Sequence, residues 1–120
     1  MGLKLQWLRD TEQKEMLQRG YLEKDESPEQ RFQTICNTVQ KYADKLATTD
    51  EAREYLKDIG KRFEEYVSKG WTSFSTPVLR SFGSEYNLPI SCNHSIIEDS
   101  IDGIYKRFYE TGILASRGAG

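Results

Sequence analysis

Residues 27–32 read SPEQRF, and an apolar stripe begins on the last of them. Ser27 has the side chain of a helix N-cap, Pro28 suits the first helical position, and Gln30 stands where its amide reaches back in a capping box. Behind this start, Phe32, Ile35, Cys36, Val39, Ala43 and Leu46 recur at spacings of three and four. That is one face of an amphipathic helix, which must be buried against something. The next pattern supplies a partner. Thr49-Asp50 opens a second helix with Ala52, Tyr55, Leu56, Ile59, Phe63 and Val67 on its apolar side; Gly60 weakens it locally and Gly70 ends it. The connection is short and polar, so an antiparallel hairpin is expected. A shorter helix, capped by Thr11 and running to Gln18 or Arg19 before Gly20, precedes them.

Past Gly70 the helical period disappears. WTSFSTPVLRSFGSEYNLPIS is rich in hydroxyl and aromatic residues and carries two of the three prolines. Ser-Thr-Pro there predicts an extended segment entering a turn. Pro89 to Ile97 predicts a strand, with Ile90, Ile96 and Ile97 as its apolar residues. Glu98-Asp99-Ser100 predicts the cap of a last helix whose apolar positions include Ile101, Ile104, Tyr105, Phe108 and Ile113. No internal repeat or low-complexity tract is present. The fold class expected is mainly α with one or two short strands, residues 1–70 forming a helical region and residues 71–120 a second part.

The chain has 120 residues, with 17 basic and 19 acidic side chains. A near balance of charge gives no surface for a polyanion, so neither nucleic acid nor an anionic membrane is the expected partner. The hydrophobic share of 37% is lean for a self-sufficient core, which points to marginal stability alone or burial against a partner. The N-terminal MGLKLQWLRD is too short and too interrupted to be a signal peptide or a span, so a cytoplasmic protein with reduced thiols is expected.

Cys36 lies on the apolar stripe, where thiols are usually inert. Cys92 lies among polar residues ahead of a helix start, a common location for ligand sites in α/β proteins, though one cysteine by itself is more often structural. His94, the one histidine, would share a strand face with Cys92, but two ligands do not make a metal site and no metal is expected. Glu98-Asp99-Ser100 is explained by capping; it also suits a ligand hydroxyl, with phosphate at the helix N–H groups. Arg117-Gly118-Ala119-Gly120 permits close backbone approach to an anion, or is simply a frayed end.

Taken in order, RGYL at 19–22, SPEQRF at 27–32, STPVLRSFGSEYNLPISC at 75–92, EDSIDGIY at 98–105 and ETGILASRGAG at 110–120 resemble the large, catalytic subunit of ribonucleotide reductase, class I or II. The resemblance is strongest from Gly70 onwards. It implies an N-terminal helical region leading into the first elements of a ten-stranded α/β barrel, without the ATP-binding cone that many members carry. It implies that Cys92 is one of a redox-active pair, that Thr76, Ser91, Ala119 and Gly120 join it around the substrate, and that Asp99, Ser100 and Ile101 hold a nucleoside triphosphate effector.

The second redox cysteine, the radical-bearing cysteine and the finger-loop Asn and Glu of the family have no counterpart here, and Cys36 matches none of them. The resemblance therefore implies a piece inactive alone, working with the remainder of the large subunit. The ending inside ASRGAG is expected to be a break within a substrate loop. The partners implied are a nucleoside diphosphate, a nucleoside triphosphate, a thioredoxin or glutaredoxin, and a radical source. That source is a metal-cofactor small subunit or adenosylcobalamin, neither held by this segment. The alternative is a non-catalytic regulatory module derived from a reductase that docks on a subunit interface.

Overall fold

A computed structural model describes residues 2–85 and 88–119. Six helices follow one another: α1 Thr11–Gly20, α2 Pro28–Leu46, α3 Asp50–Leu56, α4 Ile59–Lys69, α5 Thr76–Ser81 and α6 Ile101–Ser116. The start of α2 has the capping box expected of its sequence. The Gln30 amide N–H donates to Ser27 Oγ at 3.2 Å and the Ser27 N–H donates to Gln30 Oε1 at 2.8 Å. Thr49 caps α3 through the Ala52 N–H, and Ser100 caps α6 through the Gly103 N–H. The cap of α1 is Asp10 rather than Thr11: its carboxylate accepts from the Gln13 N–H at 2.7 Å, and a charged acceptor is the stronger cap.

Cross-contacts show the expected antiparallel hairpin. Gln33 Nε2 donates to Glu64, and seven residues further along α2, Gln40 Oε1 accepts from the Gly60 N–H at 3.0 Å. Partners that fall as the other number rises run in opposite directions. The helix expected from Asp50 onward is two helices, α3 and α4, separated at Lys57 and Asp58. Gln40 serves both sides of this break, also donating to the Leu56 carbonyl at 3.3 Å. Backbone groups freed by the interruption thus keep partners, as burial requires.

The core gathers Leu5, Leu8, Leu17, Phe32 and Val67. Two of the five come from the N-terminal segment, which sequence periodicity leaves unassigned. That segment docks on the end of α4, where helix carbonyls lack partners. The Gln6 N–H donates to the Ser68 carbonyl at 3.0 Å, Trp7 Nε1 to the Val67 carbonyl at 2.8 Å, and Ser68 Oγ to the Lys4 carbonyl at 2.6 Å. Gly70 closes α4 at φ 73°, and a Cβ there would stand 3.1 Å from Trp7 Cδ1. Trp7 meets the edge of Phe32 at 5.8 Å between ring centroids, and Phe74 packs on both Phe32 and Phe63. Leu46 and Tyr55, expected on buried faces, are exposed.

Two expectations for the second half are corrected. Thr76–Ser81 is a helical turn and a half, with Pro77 in its first turn, not an extended segment. The six residues are too few for a 3.6-residue period to show in the sequence. No strand occurs among the described residues, and 88–98 is irregular. A strand needs a neighbour for its N–H and C=O groups. Here Ile90, Ile96 and Ile97 all face solvent, Ile96 at 82% exposure, with no adjacent edge to pair. The Cα radius of gyration, 18.1 Å, exceeds the roughly 14 Å of a compact chain this long.

Arg31 is 2% exposed and ties the halves together. Its Nη2 donates to the Phe82 carbonyl and its Nη1 lies 3.8 Å from the Glu26 carboxylate, while Nε has no partner. Burial pushes its guanidinium below the usual arginine range, and Glu26 and Glu23 oppose that shift. Arg31→Met leaves the part-buried Phe82 carbonyl without its donor and the half-buried Glu26 carboxylate without its cation. Urea denaturation followed by circular dichroism should show a loss of about 2–4 kcal/mol. Arg31→Lys should recover less than half of it, because one ammonium cannot reproduce the fork.

Candidate functional site

Three separate stretches enclose a cleft of about 670 Å³: the end of α1 with the turn after it, α5 with the segment to Ser91, and the end of α6. The volume falls in the range of small-molecule sites. Thr76 and Ser91 line it together with Gly118. Ala119, next in sequence to Gly118, is buried. Of the residues expected around one ligand, Thr76 and Ser91 therefore share one concavity, and Ala119 is not on its wall. Gly120 lies outside the described residues. Cys92 itself is exposed and is not on the cleft wall.

Local structure explains how residues distant in sequence converge. Ser81 Oγ bonds both the Pro77 carbonyl at 2.9 Å and the Leu88 carbonyl at 2.5 Å, drawing the chain before Ser91 back onto α5. The Ser84 hydroxyl closes the turn on the Ser81 carbonyl at 2.7 Å. Gly83 has φ 83°, and a Cβ there would fall 2.3 Å from Thr38 Oγ1, so this turn lies directly on α2. At the far wall, the Gly118 N–H donates to the Ala115 carbonyl and the Ala119 N–H to the Leu114 carbonyl, both at 3.0 Å.

Asp99, Ser100 and Ile101 lie at the opposite end of α6 from Arg117 and Gly118, about 24 Å away for a sixteen-residue helix. Asp99 and Ile101 are exposed, and Ser100 is spent on the cap. The approach to this helix start is folded tightly. Arg107 Nε donates to the Ile96 carbonyl at 2.6 Å, and a Cβ on Gly103 would meet Glu98 Cβ at 2.8 Å. His94 is exposed, and with no strand the shared face that would align it with Cys92 is lost. Among the described residues no three His, Cys, Asp or Glu side chains gather as for a metal. No helix among them is long and apolar enough to cross a membrane.

Charge is the property of the cleft that residue-by-residue reading misses. Arg19, Arg80 and Arg117 line it, against Glu23 as the one acidic side chain. Only Arg117 carries a sequence signal, through its neighbouring glycines. Arg19 and Arg80 arrive from other elements, and only the fold brings them there.

The two thiols occupy opposite environments. Cys36 is fully buried, and desolvation, with the Glu64 carboxylate nearby, pushes its pKa from 9.0 up to about 12. Native protein treated with iodoacetamide at pH 8 should be labelled at Cys92 alone, and denatured protein at both positions. Because the folded state holds the Cys36 proton more tightly than the unfolded state, its contribution to stability is full below pH 9 and lost as pH rises toward 12. Denaturation midpoints across that window should fall less steeply in Cys36→Ala.

No protein-family model matches the chain. It is 38% identical over 106 residues to the ribonucleoside-diphosphate reductase large subunit of Invertebrate iridescent virus 6, covering 87% of this chain and 10% of that protein. A protein of similar description in Frog virus 3 (isolate Goorha) is 32% identical over 63 residues, 52% of this chain and 11% of that protein. The chain thus spans about a tenth of the length of the curated relatives it matches.

Proposed function

From a chain related over most of its length to a segment of the ribonucleoside-diphosphate reductase large subunit, we propose that it serves as the N-terminal part of such a catalytic subunit. In this reading it contributes one redox cysteine, substrate contacts and effector contacts to the reduction of ribonucleotides. The observation that carries the reading is the convergence of Thr76, Ser91 and Gly118 on one cleft, with Cys92 next in sequence to Ser91. The hydroxyls of Thr76 and Ser91 suit a polar nucleoside diphosphate. The exposed Ile90, Ile96 and Ile97 find their neighbours in the rest of the large subunit, among the strands of an α/β barrel.

The chemistry assigned to Cys92 is balanced by a second thiol from that remainder. Replacing the ribose 2′ hydroxyl by hydrogen, with water leaving, takes two electrons and two protons. Two thiols supply them and close to a disulfide, which a thioredoxin or glutaredoxin reopens by exchange. The radical that starts the reaction comes from a metal-cofactor small subunit or adenosylcobalamin. Asp99, at the far end of α6, accepts hydrogen bonds from the ribose of a nucleoside triphosphate, with Ser100 and Ile101 beside it.

Mixing the chain with a polypeptide carrying the remaining large-subunit sequence, a radical source and thioredoxin should give deoxynucleotide formation that neither part gives alone. Cys92→Ser should bring turnover to background while leaving assembly intact. Normal turnover by that variant would overturn the redox role. Assembly without any turnover would favour a non-catalytic module docked on a reductase interface.

A further inference from the structure

We propose that Arg107 is a positioning residue that ties the effector end of α6 to the segment carrying Cys92, so that a nucleoside triphosphate held at Asp99 alters the placement of the thiol. The inference rests on the reading of Asp99 as an effector contact, and adds the side chain that transmits its occupancy. Arg107 Nε donates to the Ile96 carbonyl at 2.6 Å, eleven residues back in sequence. Side chains on a helix lean toward its N-terminus, so a long arginine in the second turn reaches the chain lying beside the first. The Glu110 carboxylate pairs with the same guanidinium through Nη1. Between Ile96 and the helix the chain closes on itself. The Ser100 N–H donates to the Glu98 carbonyl at 2.8 Å, and Ser100 Oγ accepts from the Gly103 N–H at 3.0 Å. Residues 96–100 thereby form a hook, with Asp99 exposed at its bend.

Gly103 is fitted to the same hook. It stands four residues before Arg107, on one face of α6. It is the one residue that α6 buries, and a Cβ there would fall 2.8 Å from Glu98 Cβ and 2.9 Å from the Glu98 carbonyl oxygen. Glycine weakens a helix interior, and here the space it leaves is filled by the hook. Arg107 closes that face one turn further on. Among the described residues its bond is the one hydrogen bond that ties 89–96 to another element, since Asn93 bonds only within the segment, to the Ser91 carbonyl. From Ile96 to Cys92 is four residues, at most about 14 Å of chain. The hook has two states, closed with Arg107 on the Ile96 carbonyl and open without it. A triphosphate that Asp99, Ser100 and Ile101 hold in the closed state shifts the population toward it, and the closed state fixes the chain that leads to Cys92.

The test uses the complex of this chain with the remaining large-subunit sequence. ATP and each deoxynucleoside triphosphate are titrated in turn, by equilibrium dialysis and as activators of substrate reduction. Arg107→Gln and Gly103→Ala should each weaken triphosphate binding about tenfold, the value of one charge-assisted hydrogen bond. Both should lose stimulation by triphosphate while turnover without it is unchanged. Arg107→Lys should recover part of the response, because its ammonium still donates one bond. Glu110→Gln, which leaves Arg107 Nε in place, should keep nearly all of it. A role confined to helix stability predicts the opposite sign for Gly103→Ala, since alanine strengthens a helix interior. An unaltered response in Arg107→Gln or Gly103→Ala, loss of response in Glu110→Gln, or no triphosphate binding by the unaltered complex would overturn the role. The two readings fail separately. Binding weakened by both variants in a complex that never turns over removes the reductase role and keeps the hook; turnover with an unaltered response in both variants does the reverse.

Discussion

The contact on which the second half of the chain depends is that between buried Arg31 and the carbonyl of Phe82. Arg31 fixes the turn at residues 82–84, which follows α5, to the first turn of α2, alongside the stacking of Phe82 on Tyr42. Burial of a guanidinium is costly, and here the cost is offset by one backbone acceptor and one nearby carboxylate. An apolar side chain of the same volume would pack as well but would leave the Phe82 carbonyl without this donor. The arrangement trades some stability for a defined placement of α5.

Around that anchor the chain divides its labour. The hairpin of α2 with α4, sealed by the docked N-terminal segment and by Trp7, Phe32, Phe63 and Phe74, supplies most of the burial. The elements after Gly70 bury little. Helix α6 buries only Gly103 among its residues, and its aromatic side chains Tyr105, Phe108 and Tyr109 face outward. A rigid scaffold carrying sparsely packed site elements is a common division, since side chains that meet a ligand cannot also fill a core.

How much of this was legible in the sequence follows from the range of each interaction. The caps at Ser27, Thr49 and Ser100, the stop at Gly70 and the inert burial of Cys36 rest on neighbours within four residues, and all are present. The strand over Pro89–Ile97 and the extended Ser-Thr-Pro segment are absent, because strand formation depends on a partner edge that local alternation cannot guarantee. The docking of Leu5 and Trp7 on the end of α4 joins residues about sixty positions apart, and no period in the sequence announces it. The same holds for Arg31: SPEQRF shows a helix start, but not that its arginine turns inward to a carbonyl fifty-one residues away. The convergence of Thr76 and Ser91 follows from family resemblance alone, and Gly118 and the arginines beside them from nothing short of the fold.

The Arg31 anchor also bears on motion. Amide protons of α5 and of the turn that follows exchange with solvent through local openings, and an opening that lifts this turn off α2 releases the Phe82 carbonyl. That release strands a buried guanidinium, so it is coupled to loosening of the first turn of α2 around Ser27 and Gln30. Exchange rates in α5 and at the start of α2 should therefore rise and fall together under mild denaturant, while the middle of α2, held against α4, keeps its protection. One wall of the cleft and the start of the longest helix behave as a single cooperative unit, although more than forty residues of chain separate them.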